Sequence, residues 1–232
     1  MKLAIMQPYF FPYIGYFQLI SSVDVFVIYD NIQYTKKGWI NRNRILQDGN
    51  DVIFSLPLKK ASDYLDVRDR EISADFDRRK FINKISGVYR RAPQHSVVMP
   101  LIEKIVFFEE NNLFNYIYNA VKVMCAYLCI DTEIVVSSTV DIDHSLRGEE
   151  KVVAICKALS ADQYVNAIGG TELYSRSGFL EEKIELSFLK STYLEYEQFG
   201  APFVAWLSIV DVLMFNSVGE VKRFVFDGYE FL

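Results

Sequence analysis

Hydrophobic and polar positions follow two periods along the chain. Short apolar runs rich in branched residues predict strands at KLAIMQ (2–7), VDVFVIYD (23–30), DVIFSLPL (51–58), TEIVVSS (132–138), DQYVNA (162–167), KIELSFLK (183–190) and TYLEYE (192–197). Elsewhere apolar residues recur three or four apart. That spacing predicts helices at 14–22, 75–91, 94–110, 112–129, 147–159, 206–216 and 220–226. The clearest is 112–129, with Leu113, Tyr116, Ile117, Ala120 and Met124 on one face. The helix at 147 opens with Glu149 and Glu150, the favourable end for negative charge. The alternation of strand and helix predicts a doubly wound, mainly parallel, Rossmann-like α/β sheet with helices on both faces. The expected organisation is a single α/β domain over 1–232, with a helical insertion at about 75–130 that caps the site.

Composition narrows the function classes. The formal net charge of −5 argues against a nucleic-acid partner, which needs a positive footprint. Cys125, Cys129 and Cys156 include no CxxC pair, so no metal site is expected and a reducing cytoplasm suits them. The N-terminal MKLAIM reads as a strand rather than a signal peptide, and no 18-residue apolar run predicts a membrane span. Aromatics make up 15% of the chain, enough to line a pocket as well as the core; exposed rings would also suit a homodimer.

In an open α/β sheet, ligands bind beyond the carboxyl ends of the strands. Three unusual stretches follow predicted strands. In QPYFFPYIGY, Gly15 opens a helix whose free amides suit a phosphate, and Gln7, Pro8, Tyr9, Phe11, Tyr13 and Tyr16 are ligand-facing candidates. The alternative is that the rings are core beneath a tight turn. In DNIQYTKKGWINRNR the candidates are Asp30, Asn31, Gln33, Tyr34, Lys36, Lys37, Trp39, Asn41, Arg42 and Arg44. Cations clustered in an acidic chain suit a phosphate or diphosphate, with Arg42 and Arg44 alternating with Asn along one face of a strand. In NAIGGTELYSRSG, Asn166, Gly169, Gly170 and Thr171 offer a backbone nest for an anion, or only a helix cap. His144, among Asp141, Asp143 and Arg147, is the candidate general base; the alternative is a surface loop residue.

MQPYFFPYIGYFQLI, VIYDNIQYTKKGWINRNRI, YVNAIGGTELY and LSIVDVLMFN, in that order, resemble the WbqC-like family. The resemblance runs from near Met1 to the C-terminus and is weakest over 60–110 and 131–147. It implies a part in bacterial surface-polysaccharide (O-antigen, lipopolysaccharide) synthesis. The implied reaction is a transferase or ligase step joining an amino acid such as glycine, or an acyl group, to the amine of a nucleotide-linked (dTDP) amino sugar. ATP with magnesium, or an activated acyl donor, would then be the co-reactant. More distantly, Tyr13-Ile14-Gly15-Tyr16 is similar to the HxGH motif of HIGH-type nucleotidyltransferases such as pantothenate synthetase, with tyrosines in place of both histidines. That similarity implies a nucleotide site at Tyr13 and Tyr16, which either bind or act in the chemistry; in acyl transfer, His144 or Asp30 is the candidate to deprotonate the attacking amine. It leaves open a nucleotidyltransferase with a degenerate motif, or a non-catalytic nucleotide-sugar-binding accessory protein.

Overall fold

The computed structural model of the chain describes residues 1–192 and 194–232. Strands β1 (Lys2–Met6), β2 (Val25–Ile28), β5 (Glu133–Val136), β6 (Gln163–Ala167), β7 (Glu185–Ser191) and β8 (Tyr229–Phe231) form one sheet in the order β5-β2-β1-β6-β7-β8. All its pairs are parallel except β7 with β8. Strand order reverses between β1 and β6, which puts the switch point of this Rossmann-like sheet beside Gln7.

Strand periodicity sends alternate residues to opposite faces. Ala4, Phe26, Ile28, Val165 and Leu189 join one core cluster, with residues of α1 (Ile14–Ser21), α4 (Leu113–Leu128), α7 (Ile209–Phe215) and α8 (Val218–Asp227). Leu3, Ile5, Val25, Val27, Tyr164, Leu186 and Phe188 join the other, with residues of α5 (Gly148–Ala158) and α6 (Arg176–Glu181). Residues of α2 (Arg78–Tyr89) and α3 (His95–Val106) extend the first cluster: Phe81 and Tyr116 both lie against the ring of Phe10. The helices of 78–128 therefore build core around the first loop.

Three sequence expectations change. The strand expected at 51–58 forms as β4 (Asn50–Ser55), but it pairs antiparallel with β3 (Arg42–Gln47) in a separate two-stranded sheet. The reason is local: Asp48 and Gly49 adopt φ 50° and 75° at the turn, the left-handed pair that an Asp-Gly hairpin favours. Residues 192 and 194–197 are irregular rather than a strand, and Tyr193 lies outside the described residues. The helix expected at 206–216 begins at Ile209, not at 206. Ser208 caps it through Oγ, and Trp206 stands before it at φ 63°. Two short elements, α6 and β8, carry too few residues for a period to reveal.

Candidate functional site

Three chain segments are stitched together at one side of the carboxyl edge. The Phe10 amide donates to the Ile40 carbonyl (2.9 Å), the Ser208 amide to Arg44 O (2.9 Å) and the Ile209 amide to Pro12 O (2.8 Å). The Ser208 hydroxyl donates to Phe11 O (2.7 Å). Phe10 and Phe11 are buried here, and Phe11 takes φ 45°. The phenylalanines thus anchor the loop from below, while Tyr9 and Tyr13 stay half-buried at the surface.

Tyr13 and Trp206 pack with ring centroids 5.2 Å apart. On one side of the pair is a cavity of about 240 Å³ lined by Tyr9, Tyr13, Trp39, Asn43, Arg44 and Trp206. On the other is one of about 440 Å³, reaching Ser191, Thr192, Tyr196, Phe203 and Glu230. Trp39 lies under two guanidinium groups, Arg42 at 5.5 Å and Arg44 at 5.3 Å from its ring centroid. Arg42 is committed to backbone, donating through Nε to Gly38 O (2.8 Å) and also to Lys37 O. Arg44 pairs with Asp51 at 3.1 Å, while its buried Nε has no partner among the described residues. Trp206 is 62% exposed in a left-handed backbone conformation. For a bulky residue that conformation is strained, and such strain concentrates at ligand sites.

A second group lies beyond β2 and β5. The Asp30 carboxylate accepts from Ser138 N (2.9 Å) and the Ser137 hydroxyl (2.8 Å). Asn31 Oδ1 lies 2.7 Å from the same hydroxyl and 3.5 Å from Lys151 Nζ. Asn31 Nδ2 lies 2.9 Å from His144 Nδ1. Lys151 can only donate, so the Asn31 oxygen faces Lys151 and Ser137, and the amide nitrogen donates to the histidine. His144 Nδ1 is then an acceptor, and the neutral ring carries its proton on Nε2. In this state His144 offers a hydrogen-bond donor; a general-base role at Nδ1, the expectation from sequence, requires the Asn31 bond to break. Lys151 is 4% exposed, lies 5.5 Å from the Tyr29 ring centroid and makes no ion pair among the described residues. Burial first, then Arg147, pull its ammonium below the usual lysine range, while Asp66 and Asp30 oppose them.

The remaining candidates separate. Tyr16 is buried and its hydroxyl donates to Gln7 O (3.0 Å), so only Tyr13 of the pair lines a cavity. A Cβ on Gly15 would stand 2.9 Å from Ser191 Oγ and 3.3 Å from the Tyr13 ring, so the glycine permits close packing against β7. Gln7 is half-buried, with the Tyr9 hydroxyl 3.4 Å from its Oε1, and Pro8 is buried. Tyr34, Lys36 and Asn41 line a different cavity, Gln33 donates to Asp63 O, and Lys37 is exposed. Gly169 and Gly170 form one turn of 3-10 helix with no left-handed residue, which a nest requires; Asn166 folds back onto Ala167 N, and Thr171 is exposed. The third stretch lines neither cavity beside Tyr13. Among the described residues no cluster of three or more His, Cys, Asp or Glu side chains is placed to hold a metal ion.

Sequence reasoning missed Trp206, Ser137, Lys151 and Asp211. The Asp211 carboxylate is fully buried and accepts from Tyr89 (2.7 Å), Tyr196 (2.7 Å) and Gln198 (2.8 Å). Burial pushes its carboxyl above the usual range, against those three hydrogen bonds. A lone charge inside the apolar run IVDVLMF was the available signal. For Trp206, Ser137 and Lys151 no local signal distinguishes them.

A family model described as the WbqC-like protein family matches residues 7–223. An uncharacterised protein of Mycobacterium tuberculosis, Rv1507c, is 27% identical over 227 residues, covering 97% of each chain. No solved structure matches the chain significantly. No helix among the described residues is long and apolar enough to cross a membrane.

Proposed function

Since the chain belongs to the WbqC-like protein family, we propose that it joins an amino acid or acyl group to the amine of a nucleotide-linked amino sugar in bacterial surface-polysaccharide synthesis. The carrying observation is the paired cavity around Tyr13 and Trp206, with Trp39 and the unpartnered Nε of Arg44 at its rim. Aromatic faces stack on a sugar or base, and a guanidinium suits a diphosphate. In the reaction the sugar amine attacks the carbonyl carbon of an activated acyl donor, an acyl adenylate made from ATP or another carrier. A C–N bond forms, the acyl–carrier bond breaks, the carrier leaves with the electron pair, and the amine proton passes to the departing carrier. We assign the tetrahedral oxyanion to His144, an Nε2 donor in the group beyond β2 and β5 at the same carboxyl edge of the sheet. Asn31 sets its tautomer, and Ser137 and Lys151 orient Asn31. The burial of Tyr16 favours acyl transfer over nucleotidyl transfer, because only Tyr13 of YxGY lines a cavity.

The test is turnover by the full chain with ATP, magnesium, glycine and a dTDP-4-amino sugar, read by mass spectrometry. The reading requires a mass gain of one glycyl group. Trp206→Ala and Arg44→Ala should each weaken nucleotide-sugar binding by about 1–3 kcal/mol. Tight binding with no product, tested also with preformed acyl donors, makes the protein a binding accessory. Unchanged binding in both variants removes the sugar nucleotide from this cleft.

A further inference from the structure

A third cavity, of about 510 Å³, opens around Tyr34 and the 58–63 segment and shares no lining residue with the two beside the Tyr13–Trp206 pair. Its wall holds four cations, Lys36, Lys59, Lys60 and Arg70, against one anion, Asp63, in a chain of net charge −5. Arg70 is 4% exposed and forms no ion pair among the described residues. It donates to Ser62 O (2.9 Å) and, at 3.5 Å, to Lys59 O; its buried Nε has no partner. Its guanidinium lies 4.7 Å from the centroid of the Tyr34 ring, whose hydroxyl is tied to Asn41 Oδ1 at 2.8 Å. Lys36 and Lys59 do have carboxylate partners, Asp63 and Glu71, both at 2.8 Å, but these pairs are exposed. Exposed pairs are weak and exchange readily for a multivalent anion. A fully buried guanidinium with carbonyls, a ring and no counterion is a different case. Burying that charge is costly until an anion neutralises it.

We propose that this cavity is a phosphate site, taking a phosphate or diphosphate group against Arg70, Lys59, Lys60 and Lys36. Four cations in 510 Å³ exceed what a single carboxylate needs, and guanidinium with lysine ammonium groups matches phosphate oxygens. The inference stands independently of the acyl-transfer reading, because it uses different residues and a different ligand test.

The experiment is calorimetric titration of the full chain with pyrophosphate at low and moderate salt, with separate arms of inorganic phosphate and a nucleoside diphosphate. Saturable pyrophosphate binding that weakens as salt rises is expected. Arg70→Gln should weaken it at least about tenfold, the loss of one charge-assisted hydrogen bond. The surface change Lys60→Glu should weaken it in the same direction, and serves if Arg70→Gln does not fold by circular dichroism. The exposed α2 change Lys84→Ala, which removes a cation outside the cavity, should leave it unchanged. A nucleoside diphosphate binding tighter than pyrophosphate extends the site to a nucleotide; phosphate alone binding as well as pyrophosphate restricts it to one phosphoryl group. No saturable binding of any arm, Lys60→Glu binding like the wild type, or an equal loss of binding in Lys84→Ala overturns the proposal.

Discussion

Two buried charges, one on each side of the sheet, are treated in opposite ways. Among the described residues, Asp211, on the α7 side, has no cation but receives three short hydrogen bonds from neutral donors. Among the same residues Lys151, on the α5 side, has no anion and makes two long contacts, to Asn31 O at 3.4 Å and to Asn31 Oδ1 at 3.5 Å, beside the Tyr29 ring. A satisfied buried charge organises its surroundings: Asp211 holds Tyr89 of α2, Tyr196 of a cavity wall and Gln198 in one place. An under-satisfied one is a standing cost, and such costs gather where a ligand or reaction uses them. The difference marks Asp211 as a structural hub and Lys151 as a member of the candidate site beside Asn31 and His144.

The largest effect is expected at the hub. Asp211→Ala strands two phenols and an amide, and should cost roughly 3–5 kcal/mol in urea unfolding. A loss below about 1 kcal/mol would dissolve the contrast.

Lys151→Met should do the reverse, raising stability at pH 7 by roughly 1 kcal/mol while removing turnover. The sign follows from a folded-state pKa below the unfolded one. The lysine's contribution is fully present above about pH 10.4 and falls as pH drops, so the variant's advantage should vanish in strong alkali. Unfolding curves at pH 7 and above pH 10 measure it; a destabilised variant would make Lys151 a structural residue like Asp211.

Asp211→Asn gives a finer comparison through pH. The folded carboxyl titrates above its unfolded value, so its stabilising proton is fully present below about pH 3.9 and is lost as pH rises through the folded pKa. The stability difference between wild type and variant should therefore shift in the variant's favour as pH rises through that window. A difference constant with pH would contradict the raised carboxyl.

The smallest energetic effect carries the most chemical detail. Asn31→Asp replaces the amide donor facing His144 with an acceptor, so the ring proton should move from Nε2 to Nδ1. With only His95 and His144 in the chain, two-bond nitrogen–proton NMR spectra resolve the tautomers directly. Identical His144 patterns in the two proteins would mean that Asn31 does not set the tautomer.

How far the site was readable depends on the range of each interaction. Asp30, Asn31 and His144 were visible because polar residues directly after apolar strands stand out, and the topology then brings them together. Tyr13 was visible beside Gly15, yet its partner in the cleft is nearly two hundred positions away in sequence. The Asp48–Gly49 turn was a local signal for the β3–β4 hairpin, and reading the strand at 51–58 without it left the pairing of β4 unassigned.

The sequence by itself determined the longer elements, the alternation of strand and helix, and the two opposed faces of each strand, because periods of two and near four are properties of a single segment. It also placed the rings of residues 9–16 in a stiff turn and the helix start after β1. Tertiary structure alone decided which of those rings serve: Phe10 and Phe11 go beneath, Tyr16 is tied to Gln7, and Tyr13 meets Trp206 at the cleft. It decided the state of Lys151 as well, since desolvation depends on everything that surrounds a charge, and no local stretch of chain encodes that surrounding.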